Sequence, residues 1–227
     1  MESVVEIIDL RKRIDQLNEK LLGGISTRIK YSLNSGVFEE KFSENKSWFL
    51  YRLKREQDLD SEFGRFLYND QLPFIFKKEE LVKAKIGEPM NKGVTPIDAD
   101  FSQKVIELYR ELLKELCKNK IDDKGTFGET TKLDVENILT LNERTVGLGE
   151  QVAAFKLQTE PKLQKLSAQE IRENLIKPER EKEVIETTLK LAKKYGIENE
   201  SVITTFTKKM ISITLDAEVY FISNQKI

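Results

Sequence analysis

The stretch IIDLRKRIDQLNEKLL at residues 7–22 decides the fold class. Its apolar residues recur at alternating steps of three and four, at Ile7, Leu10, Ile14, Leu17 and Leu21. This spacing places them in one stripe along a helix, because an α-helix has about 3.6 residues per turn. We predict an amphipathic helix over roughly residues 3–34 whose apolar stripe packs against other helices.

Four further segments show the same helical period. The first has an apolar stripe centred on Val105, Leu108 and Leu112. The other three cover residues 133–158, 179–195 and 201–222. The helical period in these segments predicts that long helices form the body of the fold.

Signals for helix ends agree with this pattern. Ser167 and Glu170 have the spacing of a capping box. Pro178 suits the first turn of a helix, and Gly196 suits a helix C terminus. Residues 44–84 are rich in aromatic residues, and we expect shorter helices there that cross the bundle. No run of alternating β-branched residues indicates a strand, so we predict an all-α, single-domain helical bundle over residues 1–227.

The charge balance limits the classes of partner. The 227 residues contain 38 Lys and Arg and 39 Asp and Glu, which gives a net charge of −1. A balanced chain lacks the basic footprint that binds nucleic acid or an anionic membrane. The first fifteen residues become charged too soon for the apolar core of a signal peptide. We therefore expect a cytoplasmic protein that binds neither nucleic acid nor membrane.

The missing residue types limit the chemistry. The sequence has no histidine, and Cys117 is its one cysteine. A Ser-His relay, a Cys-His pair, a disulfide framework and a zinc site all need residues that this chain lacks. Any catalysis is therefore expected to be electrostatic, with fixed charges and hydrogen-bond donors arranged around the substrate.

Several charged or polar residues lie where the helices are expected to pack together. They are Arg11, Arg144, Lys156, Lys177, Arg180, Glu181, Thr214 and Glu218. A charge buried without a partner is costly, so each one that is buried either pairs inside the protein or serves a ligand. For any single one, a solvated side chain is the commoner case. Arg144 and Lys156 are also twelve residues apart, which would turn them about 120° away from each other on an ideal helix.

Seven stretches, in this order along the chain, resemble the eukaryotic-type, all-helical chorismate mutases of the AroQ class. They are LRKRIDQLNEKLLGGISTR (10–28), RFLYNDQLPF (65–74), DDKGTFGETTKLDVENILTLNER (122–144), GEQVAAFKLQ (149–158), IKPEREKEV (176–184), KKYGI (193–197) and ISITLDAEVYF (211–221). FGETTKLDVENI and VAAFKLQ are the most specific parts of the match.

The resemblance implies a reaction and a set of partners. Chorismate mutases convert chorismate to prephenate by an intramolecular Claisen rearrangement, a step in phenylalanine and tyrosine biosynthesis. No atom enters or leaves in that step, so no cofactor and no metal are expected. Chorismate is the expected small-molecule substrate, and a homodimer is the expected assembly.

The resemblance also implies catalytic roles for individual residues. Arg11 and Arg144 match the arginines that clamp the substrate carboxylates. Lys156 matches the lysine that contacts a carboxylate and the ether oxygen, and Glu218 matches the glutamate that faces this oxygen. The remaining substrate contacts are expected at Glu181, which matches the acceptor for the substrate hydroxyl, and at Thr214, Lys177 and Arg180.

One departure from the family pattern predicts a local structure. The stretch RTVGLGE between Arg144 and Gly149 holds one residue more than the family has. A π-bulge at Gly147–Gly149 would absorb that residue and return Arg144 and Lys156 to one face.

A second departure concerns regulation. Fungal members bind aromatic amino acids, and here Arg65 and Gly128 match positions of that effector site. Gly64 replaces the neighbouring arginine of the pattern, and Glu129 and Lys132 replace small hydroxyl residues. We therefore expect weak or absent feedback control.

Two other interpretations of the same charges stay open at this stage. The charged residues could form interhelical salt bridges in a helical module that binds a protein partner. The bundle could also bind an aromatic acid without converting it.

Overall fold

The predicted all-α fold is confirmed. The computed structural model describes residues 7–67, 71–85, 87 and 100–225. Its α-helices are α1 (Ile7–Arg28), α2 (Gly36–Glu39), α3 (Trp48–Glu62), α4 (Ser102–Leu116), α5 (Phe127–Asn142), α6 (Leu148–Thr159), α7 (Ala168–Leu175), α8 (Pro178–Lys194) and α9 (Glu200–Asn224). Single turns of 3₁₀-helix lie at Lys78–Glu80, Lys124–Thr126 and Pro161–Lys165. The start of the first predicted helix, residues 3–6, lies outside the described residues.

The apolar stripes that predicted the helices form the core. Leu10, Leu17 and Leu21 of α1 are buried, and so are Val105, Leu108 and Leu112 of α4. Helix α1 packs on α5, while α9 packs on α4, α6, α7 and α8. Because α6 and α9 are in contact along much of their length, residues on their facing sides are held at short distances.

The predicted helix boundaries are confirmed at three positions. The Ser167 hydroxyl accepts a hydrogen bond from the backbone N–H of Glu170, and the Glu170 carboxylate accepts one from the backbone N–H of Ser167. Pro178 is in the first turn of α8. Gly196 follows α8 with a φ of +74°, a left-handed conformation that glycine adopts without steric cost.

The end of α1 differs from the prediction. The helix ends at Arg28 rather than near residue 34. The buried Arg28 guanidinium donates to the carbonyl oxygens of Ser32 and Leu33, at 2.8 and 2.7 Å, and to the Asp134 carboxylate at 2.7 Å. These bonds fold the following residues back over the helix end, and Asn34 then takes a left-handed φ of 51°.

The prediction for residues 44–84 was partly wrong. One α-helix, α3, and the 3₁₀ turn at Lys78–Glu80 are present there, while most of the other described residues are irregular. A hairpin of two short strands, β1 (Lys41–Ser43) and β2 (Lys46–Ser47), was also missed. Its turn residues Glu44 and Asn45 have φ values of 50° and 57°, as a tight hairpin turn requires. Strands of two or three residues are too short to show the alternation of apolar and polar residues by which a strand is predicted.

The described residues lack two features that would indicate a membrane or a metal as a partner. None of the described helices is long and apolar enough to cross a membrane. In the same part of the chain, no group of three or more His, Cys, Asp or Glu side chains is placed to hold a metal ion.

Candidate active site

A π-helical segment connects α5 to α6. It covers Glu143–Gly147, one turn earlier than the predicted bulge at Gly147–Gly149, so the insertion itself is confirmed and its position is corrected. The Thr145 hydroxyl donates to the Leu141 carbonyl oxygen at 2.7 Å, inside the wider turn. Through this segment the chain continues as one long helical rod from α5 to α6, with Arg144 in the widened turn.

Arg144 is a buried cation that forms no ion pair with any of the described residues. Its side chain is 5% exposed, and Nε donates to Asn18 Oδ1 on α1 at 2.7 Å. Within the described residues, no carboxylate oxygen lies within 4.0 Å of its guanidinium, and Nη1 and Nη2 make no hydrogen bond. Arg144 therefore has free donors with which to bind a carboxylate.

The electrostatic surroundings of Arg144 are unfavourable to its charge. Burial lowers the pKa of Arg144 well below the ordinary arginine value, to about 10; the carboxylate of Asp15 opposes this lowering, and the positive charge of Arg180 adds to it. Arg144 still carries its charge at neutral pH. A buried cation that the protein leaves unpaired is typical of a ligand site, because burying an unpaired charge destabilises the fold.

Lys156 and Glu218 form the second part of the site. Lys156 Nζ on α6 lies 2.6 Å from Glu218 Oε2 on α9, and their side chains are 29% and 10% exposed. Burial raises the pKa of Glu218 above its ordinary value, and Lys156 only partly offsets this effect. Glu218 thus stays protonated to higher pH than an exposed glutamate and, when protonated, can donate a hydrogen bond.

A close approach between α6 and α9 positions this pair. A Cβ atom on Gly149 would lie 3.0 Å from the Thr214 carbonyl oxygen and 3.1 Å from Ala217 Cβ. Only glycine allows the two helices to come so near at this point. Thr214 itself is partly buried, and its hydroxyl donates to the Met210 carbonyl oxygen at 3.0 Å.

The other predicted substrate contacts lie at helix ends. Arg11, near the start of α1, is exposed and makes no hydrogen bond or ion pair with the described residues. Lys177 is exposed just before α8, and Arg180 in the first turn pairs with Glu183 at 2.7 Å. Glu181 is partly buried, and its backbone N–H donates to the Lys177 carbonyl oxygen at 3.0 Å.

The structure thus joins some of the predicted residues and leaves others separate. Lys156 contacts Glu218 directly, and Arg180 is near enough to Arg144 to affect its pKa. Hydrogen bonds and ion pairs within the described residues link neither Arg11 nor Glu181 side chains to these groups. The predicted effector residues Arg65 and Gly128 are both exposed, and nothing lies within 4 Å of a Cβ built on Gly128.

Three residues near the site were not predicted from the sequence. Asn18 accepts a hydrogen bond from Arg144, and Asp15 acts to raise the pKa of Arg144. Gly149 allows α6 and α9 to approach each other closely. A signal for Asn18 was present, since it follows Ile14 by one helical turn and so lies on the apolar stripe as a polar residue. Asn18 and Asp15 also line a groove of about 340 Å³ between α1 and α8.

The chain is similar to known proteins in sequence and in structure. Residues 127–219 match the family model described as chorismate mutase type II. This segment begins at α5, extends into α9, and includes Arg144, Lys156 and Glu218. No curated protein matches the chain in sequence.

Solved chorismate mutases share the fold over nearly the full chain. The chloroplast enzyme of Zea mays superposes with a TM-score of 0.80 at 18% identity, covering 97% of this chain and 95% of that one. Aro7p of Candida albicans, in complex with L-tryptophan, gives 0.84 at 16% identity, covering 97% and 92%. AtCM1 of Arabidopsis, with phenylalanine in its allosteric site, gives 0.80 at 19% identity, covering 98% of each chain.

Proposed function

We infer that this chain, whose residues 127–219 belong to the type II chorismate mutase family, converts chorismate to prephenate. The reaction is an intramolecular rearrangement in which one C–O bond breaks as one C–C bond forms. It serves the synthesis of phenylalanine and tyrosine. The observation that carries this conclusion is that the matched segment holds both Arg144, which is buried and has no acidic partner among the described residues, and the Lys156–Glu218 pair.

The reaction makes two demands on a protein. The flexible enolpyruvyl arm must be held over the ring, which requires both substrate carboxylates to be fixed in place. The ether oxygen gains negative charge as its bond breaks, so donors must already point to it. Neither demand requires a nucleophile.

Arg144 meets the first demand. Its free Nη1 and Nη2 donors form a planar fork that matches the two oxygens of a carboxylate. The unfavourable burial of its charge in the unliganded protein means that an incoming carboxylate relieves an existing cost. We propose that Arg11 clamps the other carboxylate, since its guanidinium is exposed and makes no hydrogen bond or ion pair with the described residues.

Lys156 and Glu218 meet the second demand. The Lys156 ammonium has three N–H donors and donates one hydrogen bond to Glu218. The other two donors remain for the ether oxygen and a carboxylate. Glu218 helps an oxygen that becomes negative only when it is protonated and donates. Its burial favours that state, which is why the raised pKa supports the assignment.

The other contacts are proposed from their places at the start of α8 and on α9. Glu181 would accept from the substrate hydroxyl, and Thr214 would contact a carboxylate. Lys177 and Arg180 add positive charge at the start of α8, which favours a dianionic substrate. Because Lys177 is exposed and Arg180 is paired with Glu183, we expect their contributions to be smaller than that of Arg144.

Replacing Lys156 with alanine separates this function from the two alternatives. We expect Lys156→Ala to keep the fold while turnover falls about 10²–10³-fold, a much larger loss than that of the affinity for substrate analogues. A protein in which this lysine is only a structural ion pair would lose stability instead. A protein that binds an aromatic acid without converting it would show no turnover before the change and weaker binding after it.

The assembly and its regulation are proposed in the same way. A homodimer is supported by the many exposed apolar side chains around the α3 end and after it: Leu59, Phe63, Leu72, Ile75 and Val82. Light scattering should then give about twice the 26.4 kDa of one chain. Added tryptophan or tyrosine should change turnover little, because Glu129 places a negative charge beside Gly128. The cytoplasmic location stays a prediction from the sequence.

A further inference from the structure

We propose that Asn18 is a positioning residue that fixes the Arg144 guanidinium for substrate while leaving its charge uncompensated. This inference rests on the proposed function, since it concerns how the same arginine is held. Asn18 lies on α1 within the first of the seven similar stretches, but the resemblance to the family implied no chemical role for it.

The geometry of the contact is unambiguous. Arg144 Nε–H can only donate, so the atom of Asn18 that receives it at 2.7 Å is the amide oxygen. Asn18 is 4% exposed, and this is the one hydrogen bond its side chain makes with the described residues. Because both partners are buried, the bond restricts rotation of the guanidinium and leaves Nη1 and Nη2 available to a ligand.

The chemical type of the partner matters as much as its position. A carboxylate here would also accept from Nε, but it would neutralise Arg144 and compete with the substrate carboxylate for it. An amide orients the cation by a hydrogen bond and leaves its full charge for the ligand. Asp15 already opposes part of the burial effect on the Arg144 pKa from farther away, without a direct contact.

Asn18 lines the groove of about 340 Å³ between α1 and α8 together with Asp15, Thr187 and Lys190. Its Nδ2 makes no hydrogen bond in the described structure, so no protein group pulls the amide away from Arg144. Among the described residues, this contact is the one hydrogen bond that orients the Arg144 guanidinium.

Two variants separate the orientation from the charge. Asn18→Asp keeps the shape and the acceptor oxygen but adds a negative charge, so KM for chorismate should rise about tenfold or more with a smaller change in kcat. That loss should shrink as pH falls and the introduced carboxyl becomes protonated. Asn18→Ala leaves the charge and removes the acceptor, so kcat should fall at every pH.

Controls make the result specific. Gln16→Glu adds the same charge to an exposed position on the same helix and should leave KM unchanged. Thermal unfolding of each variant shows whether the fold is retained. Wild-type KM and kcat in both Asn18 variants would overturn the proposal, as would equal losses in both that do not depend on pH. Absence of turnover in the wild-type protein would instead count against the proposed function.

Discussion

Replacing Arg144 with methionine should remove activity without destabilising the fold. Methionine is unbranched and similar in length, so it fills much of the same space without the charge. The change therefore tests whether Arg144 is present for the ligand or for the structure. A structural ion pair and a ligand-binding cation predict opposite results for stability.

The expected magnitude follows from the surroundings of Arg144. Burial lowers its pKa well below the ordinary arginine value, to about 10, and at roughly 1.4 kcal/mol per pKa unit the charged state costs the fold about 3 kcal/mol. Removing the charge should therefore stabilise the fold by about 3 kcal/mol. The loss of the hydrogen bond to Asn18 costs about 1.5–3 kcal/mol in the other direction. The net change in the free energy of unfolding should thus stay within about 2 kcal/mol of zero.

Denaturant unfolding and chorismate turnover, measured on the same preparation, check this prediction. We expect kcat/KM to fall at least about 10²–10³-fold, while the unfolding midpoint moves little. Arg144→Lys serves as the matched control, because it keeps the charge but lacks the planar fork and should retain part of the activity. A loss of 3–5 kcal/mol in stability, the range typical of breaking a buried ion pair, would refute the reasoning.

Two further predictions concern α6 and α9. Wild-type activity should decline as pH rises through the raised pKa of Glu218, because only the protonated form donates; Glu218→Gln should flatten the pH–rate profile, and an unchanged profile would exclude this role. Gly149→Ala should lower stability by about 1–3 kcal/mol and reduce turnover, because the new Cβ meets the Thr214 carbonyl oxygen at 3.0 Å. Gly128→Ala, at a site with open space, is its control in thermal unfolding, and equal effects of the two changes would contradict the packing argument.

Local patterns in the sequence predicted the helices well. The α1 stripe, the Ser167 capping box and the glycine after α8 depend on residues within a few positions of each other, so the sequence alone contains the relevant information. The π-helical segment was predicted for a different reason, since one additional residue between two matched motifs had to be accommodated. Its position moved by a turn because spacing gives the number of added residues and not the place where the helix widens.

Features that depend on distant parts of the chain were missed. Arg28 ends α1 early because it reaches Asp134, and Asn18 holds Arg144 from 126 residues away. Neither contact leaves a periodic signal, because each joins one polar side chain to another across the core. For the same reason the sequence could name Arg144 as a candidate but could not show that it is buried without an acidic partner.

The central claim is tested most directly by mixing the purified protein with chorismate and following its ultraviolet absorbance. We predict rapid loss of chorismate with prephenate as the product, and no such loss with Arg144→Ala. Folded wild-type protein that leaves chorismate unchanged would contradict the account.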